Sequence, residues 1–442
     1  MVRAMPIFRR RKQEPEAEPA TPPQPLPDAP HAEDAGLRPM ATHRDYILSQ
    51  IEPLTPFGMS LVDAWGLALC EEISSDINLP RFDNAQMDGY AVRSADVAGA
   101  TQSEPLTLAV VGSIYAGDDS DLRVGPGQAV RIMTGAPIPV GADAVLPFEF
   151  TDRGASKVKV LEPVSVGENV RPLGSDIAEG QVLAGEGQVL DSRLIGLLAG
   201  VGIDKVLARP RPRVVVISTG AELVEPGRPL TNAAQIYDAN EHLIAAAAKA
   251  AGAQIFRVPA HTDDPDELRN VVNDQLIRAD LIITTGGISE GDADVVKQVM
   301  PGMGLTDFAE VAIQPGKPQG FGLIGEDKVP VIMLPGNPVS AYVSFQAFVL
   351  PVIRRLMGVE PVNNPPVRCV AEAIMRSTKG KLQFGRGVVR NDNGRRYVHL
   401  VGGHSSHLLG DLAQANALVL LPPEVEKVAA GDIVHCWLLD HD

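Results

Sequence analysis

A glycine pair and two carboxylates follow a buried-strand pattern in the middle of the chain. Leu281–Thr285 is apolar and β-branched, Gly286-Gly287 ends the run, and Asp292 and Asp294 come before a helix-like stretch. Glycines let backbone approach a ligand because no Cβ stands in the way, and a strand-to-helix turn offers free N–H groups to an anion. The pattern is typical of an anion site at the carboxyl edge of an α/β sheet. A tight turn with an aspartate as helix cap gives the same pattern.

The overall charge limits the partners that the chain can bind. Its 442 residues carry a net charge of −16 with a pI near 5.0, and only 4% of them are aromatic. An acidic surface repels phosphate backbones and anionic lipids, and few rings are available to stack on unpaired bases. We therefore expect neither nucleic acid nor a membrane as a partner, and an anionic ligand needs a local basic pocket.

The cysteines and the N-terminal residues predict a cytoplasmic protein. Cys70, Cys369 and Cys436 are far apart and form no CxxC pair, so we expect neither a disulfide framework nor a zinc site. No apolar segment follows the basic cluster at residues 9–12, which argues against a secretory signal. No other stretch of the sequence has the length and apolarity of a transmembrane helix.

Changes in residue pattern divide the chain into five regions of an α/β multidomain protein. A run rich in Pro, Ala and Glu near the N terminus buries too little apolar surface to fold. Residues 61–69 carry apolar positions near a 3.6-residue period, which predicts helix, and Asp392-Asn393-Gly394 is typical of a β-hairpin. The predicted regions are a disordered tail (1–40), an extended helical domain (41–82 and 170–208), a small β domain (83–169), an α/β domain (209–360) and a C-terminal β domain (361–442).

Strands and helices alternate through the fourth region, which predicts a central βαβ domain with a parallel-type sheet. An Ala-rich helix from residue 240 stops at Gly252, and Pro265 suits the first turn of the next helix. In such a sheet the loops that follow the strands share one edge, where ligands bind. The predicted strands are 214–217, 253–258, 281–285 and 329–334, and the loops at this edge are 218–222, 262–265, 286–294 and 335–340.

A series of short motifs resembles the molybdopterin molybdenumtransferase family, which includes the E domain of gephyrin. Each motif alone is weak, but together they keep the family's order from about residue 40 to the C terminus. The motifs are DNAQMDGYA (83–91), TGAPIP (134–139), VRPLGSDI (170–177), STGAEL (218–223), IYDAN (236–240), GGISEGDAD (286–294), PGKP (315–318) and LPGNPVS (334–340).

The resemblance implies the last step of molybdenum cofactor assembly. Members of this family insert molybdate into adenylylated molybdopterin and release AMP, with Mg²⁺ as the cofactor. The resemblance also implies an elongated four-domain subunit and a homodimer, in which the second domain of one subunit completes the site of the other. It implies handover of the substrate from a molybdopterin adenylyltransferase.

Carboxylates in the loops after the strands are the candidates for holding Mg²⁺. This ion prefers oxygen ligands, and Glu222 and Asp294 are the predicted metal ligands, with Asp263 as a third candidate. Lys317 and Arg386 can supply positive charge to an oxyanion. Together with the resemblance, this chemistry predicts Asp88, Glu222, Asp263, Asp294 and Lys317 as catalytic residues. The predicted substrate-binding residues are Thr134, Arg171, Asp176, Ser218, Thr219, Gly220, Asp238, Asn240, Gly286, Gly287, Ser289, Gly336, Asn337, Pro338, Arg386 and Ser406.

Four of these residues belong to motifs outside the α/β domain. Asp88, Thr134, Arg171 and Asp176 match family positions that face the site from the neighbouring subunit. For Arg171 and Asp176, an ion pair at the surface or at an interface is an equally open interpretation.

Several positions depart from the family pattern. Ala221 stands where the family usually has Asp, and Glu310 and Gln314 stand where basic residues are common. Anion binding should therefore rest more on Lys317 and Arg386, and the choice between molybdate and tungstate stays open. The region around Ser406 matches the family only loosely.

Two other functions are compatible with parts of the sequence. A molybdopterin adenylyltransferase shares the α/β domain, but such enzymes have TGGTG after the strand, where this chain has Ile288-Ser289 behind its glycines. A non-catalytic scaffold of the same fold is the other alternative. The retained carboxylates Glu222, Asp263 and Asp294 argue against a scaffold, whereas Glu310 and Gln314 keep it open.

Overall fold

The computed structural model describes residues 29–30, 36–289, 294–403 and 405–439. Most of the predicted tail and Asp292 lie outside the described residues. The fold nevertheless begins before the predicted boundary at residue 40. Arg38 is buried, and its guanidinium donates to Asp307 Oδ2 at 2.5 Å and Oδ1 at 3.1 Å. Because a buried charge is stable only with such a partner, Arg38 belongs to the folded part of the chain.

The N-terminal half alternates between two helices and many short strands. Helix α2 begins where the Asp191 side chain accepts hydrogen bonds from the N–H groups of Arg193 and Leu194, a typical N-cap. The elements are α1 (Met40–Ser49), β1 (Phe57–Ser60), β2 (Ile73–Ser74), β3 (Asn84–Ala85), β4 (Gly89–Val92), β5 (Leu106–Ile114), β6 (Gln128–Ile132), β7 (Ala144–Pro147), β8 (Lys157–Val160), β9 (Val170–Arg171), β10 (Val182–Ala184), α2 (Ser192–Gly200) and β11 (Lys205–Ala208).

The helix predicted over residues 61–69 is wrong. This segment is a series of turns, and Gly66 within it has φ +75°, in the left-handed region where a helix cannot continue. Leu61, Ala64 and Leu67 are still buried. The spacing of apolar residues that is typical of one helix face therefore also occurs in a series of turns that buries the same residues in the core.

Three of the predicted motifs meet at the edge of the small β domain. A five-stranded sheet in the order β7-β4-β6-β5-β8 forms the body of this domain. Strand β3 pairs with β9, which sets Asn84 opposite Arg171, and an isolated bridge joins Asn84 to Pro137. Motifs that are up to 90 residues apart in sequence thus share one surface.

The α/β domain is built on a six-stranded sheet in the order β15-β12-β16-β20-β19-β17. The first four strands are parallel, as predicted, and β19 and β17 add an antiparallel edge. Its elements are β12 (Arg213–Ser218), β13 (Leu223–Val224), β14 (Ile236–Tyr237), α3 (Asn240–Ala250), β15 (Gln254–Arg257), α4 (Pro265–Leu276), β16 (Leu281–Thr285), α5 (Val295–Val299), β17 (Gly304–Glu310), β18 (Ile313–Gln314), β19 (Pro318–Ile324), β20 (Val329–Leu334), α6 (Pro338–Ser344) and α7 (Leu350–Met357).

Helices cover both faces of this sheet. Val214 and Val216 of β12 pack with α3, α6 and α7 on one face, whereas Val215 and Ile217 pack with α4 and α5 on the other. After β12 the chain crosses to β15 on one side and then returns to β16 on the other. The carboxyl ends of β12 and β16 therefore form a topological switch point, where α/β sheets bind ligands.

The C-terminal domain is a small barrel-like sheet. Its strands run β18-β23-β24-β21-β27-β25, and β23 also pairs with β25, which closes the sheet. The predicted hairpin is confirmed, since Asn393 and Gly394 both have positive φ between β23 and β24. Its elements are β21 (Val367–Ala371), β22 (Met375–Arg376), β23 (Leu382–Asp392), β24 (Arg395–Leu400), α8 (Leu409–Gln414), β25 (Ala417–Leu421), β26 (Lys427–Val428) and β27 (Ile433–Leu438).

None of the helices in the described ranges has the length and hydropathy that a bilayer crossing requires.

Candidate active site

A cavity of about 820 Å³ opens at the switch point of the α/β sheet. Ser218 and Thr285, the last residues of β12 and β16, are paired in register beneath it. Of the predicted site residues, those that line it are Ser218, Thr219, Gly220, Glu222, Asp238, Asn240, Asp263, Gly286, Gly287, Ser289, Asp294, Gly336, Asn337 and Pro338. We call it the main cavity.

Close backbone contacts explain the glycines in its walls. Gly286 has φ +95°, and a Cβ built there would lie 2.7 Å from the carbonyl oxygen of Thr219. A Cβ on Gly336 would lie 3.5 Å from the Cα of Gly286. The loops after β12, β16 and β20 therefore pack backbone against backbone, and a larger residue at Gly286 would push them apart.

Asp238 holds the floor of the main cavity together. Its carboxylate is buried and accepts hydrogen bonds from the Ser218 hydroxyl and from the N–H of Glu241 at 3.0 Å. His261 Nε2 lies 3.3 Å from Asp238 Oδ2. These contacts engage both oxygens of the carboxylate. We infer that Asp238 positions the loops around the ligand more than it contacts the ligand itself.

Asn240 performs a similar function between neighbouring loops. Its side-chain Nδ2 donates to Thr285 Oγ1 at 2.9 Å and to the Gly336 carbonyl at 2.6 Å. The first residue of α3 is thereby tied to the ends of β16 and β20. Its amide oxygen is buried and has no hydrogen-bond partner in the described part of the chain, so this acceptor is available to a ligand.

The geometry at Asp294 disfavours a purely capping role. Asp294 occupies the N-cap position of α5, but its side chain makes no capping hydrogen bond. Its Oδ2 is buried without a hydrogen-bond partner among the described residues. A buried, unpartnered carboxylate oxygen is unfavourable unless a cation or a donor binds it. Glu222 also lines the cavity, and a Cβ on Gly220 would lie 2.5 Å from Glu222 Oε2.

The lining of the main cavity is acidic. Four carboxylates line it, from Glu222, Asp238, Asp263 and Asp294, and no Lys or Arg is found among its described lining residues. Predicted Lys317 instead lines a second cavity of about 450 Å³, which shares Ser289 with the first.

The second cavity contains an internal ion pair. Lys317 Nζ lies 2.7 Å from Glu310 Oε1, and Lys297 Nζ donates to the Ser289 carbonyl at 2.5 Å. The Glu310 carboxylate therefore forms an ion pair with Lys317, which is one of the two cations that the sequence predicts to bind an anionic substrate. Gln319 and Phe308 complete this part of the wall.

The predicted site residues of the first half of the chain lie outside both cavities. Asp88, Thr134, Arg171 and Asp176 are exposed. Asp88 Oδ1 accepts hydrogen bonds from the Thr134 N–H at 2.8 Å and hydroxyl at 2.7 Å, and these two bonds lower the pKa of Asp88. No ion pair joins Arg171 to Asp176 within the described residues, so the proposed intrachain pair is not observed. We call these four residues the Asp88 surface.

Arg386 does not reach the main cavity. It is buried, and its guanidinium donates to the carbonyl oxygens of Ser405, at 2.9 Å, and Gly403. Its Nε is buried and has no hydrogen-bond partner in the described ranges. Arg386 and Gln314 line a recess of about 10 Å³, with room for about one water molecule. Arg386 therefore braces the loop after β24, and an oxyanion would fit beside it only if that recess widened.

Comparisons with known proteins cover almost the whole folded chain. Residues 38–202 match the MoeA N-terminal region (domains I and II), 215–355 match a probable molybdopterin binding domain, and 368–439 match the MoeA C-terminal region (domain IV). Molybdopterin molybdenumtransferase 2 of Mycobacterium tuberculosis is 38% identical over 407 residues, which are 91% of this chain and 99% of that protein. The chain belongs to the molybdopterin molybdenumtransferase family.

Further relatives agree with this membership. Molybdopterin molybdenumtransferase 1 of Mycobacterium tuberculosis is 40% identical over 403 residues, which are 86% of this chain and 93% of that protein. The crystal structure of the molybdopterin biosynthesis MoeA protein from Pyrococcus horikosii superposes with a TM-score of 0.74 at 30% identity, covering 92% of this chain and 100% of that one. The predicted family and fold class are thus confirmed.

Within the molybdopterin molybdenumtransferase fold, twelve described residues line the main cavity beyond those that the sequence predicts: Leu223, Ile236, Tyr237, Ala239, Thr285, Ile288, Val295, Gly316, Pro318, Pro335, Ser340 and His407. Ile236 and Tyr237 line it and lie within the IYDAN motif, from which only Asp238 and Asn240 were selected. His407 lines it from the C-terminal domain, one residue after predicted Ser406. Ser406 is not among the lining residues, and its carbonyl instead accepts from the N–H of Val339 at 3.2 Å. The loose motif around residue 406 was the one available signal for His407.

Proposed function

We propose that this member of the molybdopterin molybdenumtransferase family inserts molybdate into adenylylated molybdopterin and releases AMP, the final step of molybdenum cofactor biosynthesis. As a family member it is a transferase. The observation that carries the proposal for the site is the main cavity, which has the size of a nucleotide-like ligand. Two of its acceptors, Asp294 Oδ2 and Asn240 Oδ1, have no hydrogen-bond partner among the described residues. Whether molybdate or tungstate is preferred is part of the test below.

Mg²⁺ fits the chemistry of the lining. Glu222 and Asp294 would hold it, with Asp263 as the third candidate. Among the described residues no three acidic, His or Cys side chains are grouped as a ready-made metal site. This suits Mg²⁺, which often takes one or two carboxylates and completes its shell with waters and substrate phosphates. When bound there, the ion would neutralise charge on the phosphates and would stabilise the departing AMP.

The chain's own residues position the substrate. The buried network of Ser218, Asp238 and Asn240 fixes the loops after the strands, so little reorganisation is needed when the ligand binds. Asn240 Oδ1 offers an acceptor to the ligand, and the packed Gly286 and Gly336 keep the loops close together. Lys297 and Lys317 line the second cavity.

We further propose a homodimer in which the Asp88 surface of one subunit faces the main cavity of the other. The supporting observation is that Asp88, Thr134, Arg171 and Asp176 are exposed and line neither cavity of their own chain. A partner's Arg171 would bring one guanidinium to the acidic cavity, together with the carboxylates of Asp88 and Asp176 on the same surface. Handover of the substrate from a molybdopterin adenylyltransferase and the predicted cytoplasmic location belong to the same proposal.

Turnover assays separate the three functions considered. The protein is incubated with adenylylated molybdopterin, Mg²⁺ and either molybdate or tungstate, and AMP is measured by chromatography. We expect AMP release that depends on the oxyanion. Absence of AMP release with a folded protein would overturn the proposal and favour a scaffold. Formation of adenylylated molybdopterin from ATP and molybdopterin would instead identify an adenylyltransferase.

A further inference from the structure

One side chain of the main cavity comes from the C-terminal domain. His407 lies between β24 and α8 and lines the same cavity as Asn337 and Pro338, which precede and begin α6. The barrel-like domain therefore contributes a functional group to a site that is otherwise built by the α/β domain.

Hydrogen bonds on both sides fix the segment that carries His407. The N–H of Val339 in α6 donates to the Ser406 carbonyl at 3.2 Å, and the N–H of Leu409 donates to the His407 carbonyl at 2.9 Å. The buried Arg386 donates to the Ser405 carbonyl at 2.9 Å. These contacts tie the segment to a helix of one domain and to a strand of the other, which is the support that a precise ligand contact needs.

The ring of His407 is also oriented. Ser405 Oγ lies 2.7 Å from His407 Nδ1, and this is the ring's one side-chain hydrogen bond within the described residues. With Nδ1 engaged, Nε2 is the ring atom that can meet a ligand. If the Ser405 hydroxyl donates to Nδ1, the neutral ring carries its proton on Nε2. If the Ser405 hydroxyl accepts from Nδ1–H, Nε2 carries a proton only when the ring is charged. Nε2 is therefore a donor in two cases, when Ser405 donates to Nδ1 and when the ring is charged.

The charge of the cavity indicates what His407 binds. Four carboxylates line the cavity, and His407 is the one side chain among its described lining residues that can become cationic. Carboxylates repel a phosphate, whereas an imidazole N–H forms a hydrogen bond to it that is stronger when the ring is charged. Other acidic or basic groups near the segment are Asp411 and Arg386, which pair with each other at 3.9 Å.

We propose that His407 is a substrate-binding residue whose Nε2–H contacts the phosphate of the adenylyl group, so that the C-terminal domain takes part in nucleotide recognition. This inference rests on the proposed function, because it assumes an AMP-containing ligand in the main cavity. It adds a residue that the motifs do not include, and it gives Arg386 and Ser405 a definite task as positioning residues for that contact.

The experiment measures AMP binding and turnover in parallel. Dissociation constants for AMP in the presence of Mg²⁺ are determined by calorimetry for the wild-type protein, H407A, H407Q and S405A, and AMP release is followed with the full substrate. H435Q is the matched control, since His435 is an exposed histidine on β27 of the same domain and does not line the main cavity. Because His407 is exposed, its truncation should leave the fold intact, which circular dichroism verifies.

We expect H407A to weaken AMP binding by about tenfold or more, which corresponds to loss of one hydrogen bond to a charged group. H407Q should recover most of the affinity because its amide also offers an N–H, and S405A should fall between wild type and H407A. H435Q should match wild type. A wild-type protein that binds and releases AMP while H407A binds it equally well would overturn this inference alone. A wild-type protein that neither binds nor releases AMP would overturn the proposed function together with it.

Discussion

The main cavity and the Asp88 surface present motif residues in opposite settings. In the α/β domain the motifs follow strands of one sheet and enclose a concave space, with Ser218 and Asp238 buried in its floor. In the β domain Asp88 and Thr134 lie exposed. A cavity can exclude water and orient a ligand within one chain, whereas an exposed surface can do so only when another subunit or protein covers it. The comparison teaches that motifs of one chain need not converge on one pocket of that chain.

The two settings also differ in charge. The described lining of the main cavity has four carboxylates and no Lys or Arg, whereas the Asp88 surface carries one cation, Arg171, beside the carboxylates of Asp88 and Asp176. An anionic substrate in an acidic cavity requires positive charge from elsewhere. Mg²⁺, His407 and a partner subunit are the sources that our proposals name, and the following predictions test the comparison between the two settings.

The largest effect is expected inside the main cavity. E222A and D294A should each lower AMP release by about 100-fold or more and raise the Mg²⁺ concentration for half-maximal rate, because fewer carboxylates would hold the ion. D266A is the control, since Asp266 is exposed on α4 and pairs with Arg269. Mg²⁺ titrations and thermal melts measure both properties. Normal turnover with an unchanged Mg²⁺ requirement in both variants would refute the metal-site assignment.

The next largest effect concerns the proposed composite site, which the Asp88 surface of one subunit and the main cavity of the other would form together. Neither D88A nor D294A homodimers should be active, but mixed subunits should form heterodimers with one intact composite site. After complete subunit exchange at equal amounts, about a quarter of the wild-type activity should return, because half of the dimers are mixed and each has one good site. AMP release before and after exchange is the measurement. If exchange is demonstrated by mass spectrometry and no activity returns, the shared site is wrong.

A smaller contrast lies between two adjacent aspartates at the cavity edge. Asp263 lines the main cavity, whereas Asp264 caps α4 by accepting from the N–H groups of Asp266 and Glu267 at 2.8 and 3.0 Å. D263A should lower AMP release by about tenfold with little change in stability. D264A should lose about 1 kcal/mol in free energy of unfolding while keeping near-normal turnover. The reverse outcome in denaturation and rate measurements would show that the cavity edge is assigned wrongly.

The smallest effect is expected for Thr134, which donates hydrogen bonds to Asp88 on the Asp88 surface. Hydrogen bonds from the Thr134 N–H and hydroxyl lower the pKa of Asp88, and T134V removes the hydroxyl while the N–H remains. The pKa of Asp88 should then rise toward its ordinary value, so the carboxylate becomes protonated at a higher pH. The acidic limb of the kcat/KM profile should move upward in pH, whereas the rate at neutral pH should stay near the wild-type value because Asp88 remains ionised there. T134S should keep the wild-type profile, and an identical shift in T134S would contradict this explanation.

Most of the α/β domain and a hairpin of the C-terminal domain could be predicted from local patterns. The strand Leu281–Thr285, the helix start at Pro265 and the Asn393-Gly394 turn depend on residue types within a few positions, and the structure confirms each of them. The helix at 61–69 could not be predicted correctly, because an apolar period says which residues are buried but not which backbone conformation buries them. The catalytic and metal roles stay predictions.

By itself, the sequence determined the family, the strand-and-loop order and the carboxylates that can meet at one sheet edge, because these depend on short-range patterns repeated along the chain. The tertiary structure alone decided which side chains meet. It buried Asp238 within a network, turned Arg386 toward the carbonyls of Ser405 and Gly403, brought His407 into the main cavity and left Asp88 exposed on another domain. Such encounters join residues far apart in sequence and depend on how whole domains pack, which no local spacing records.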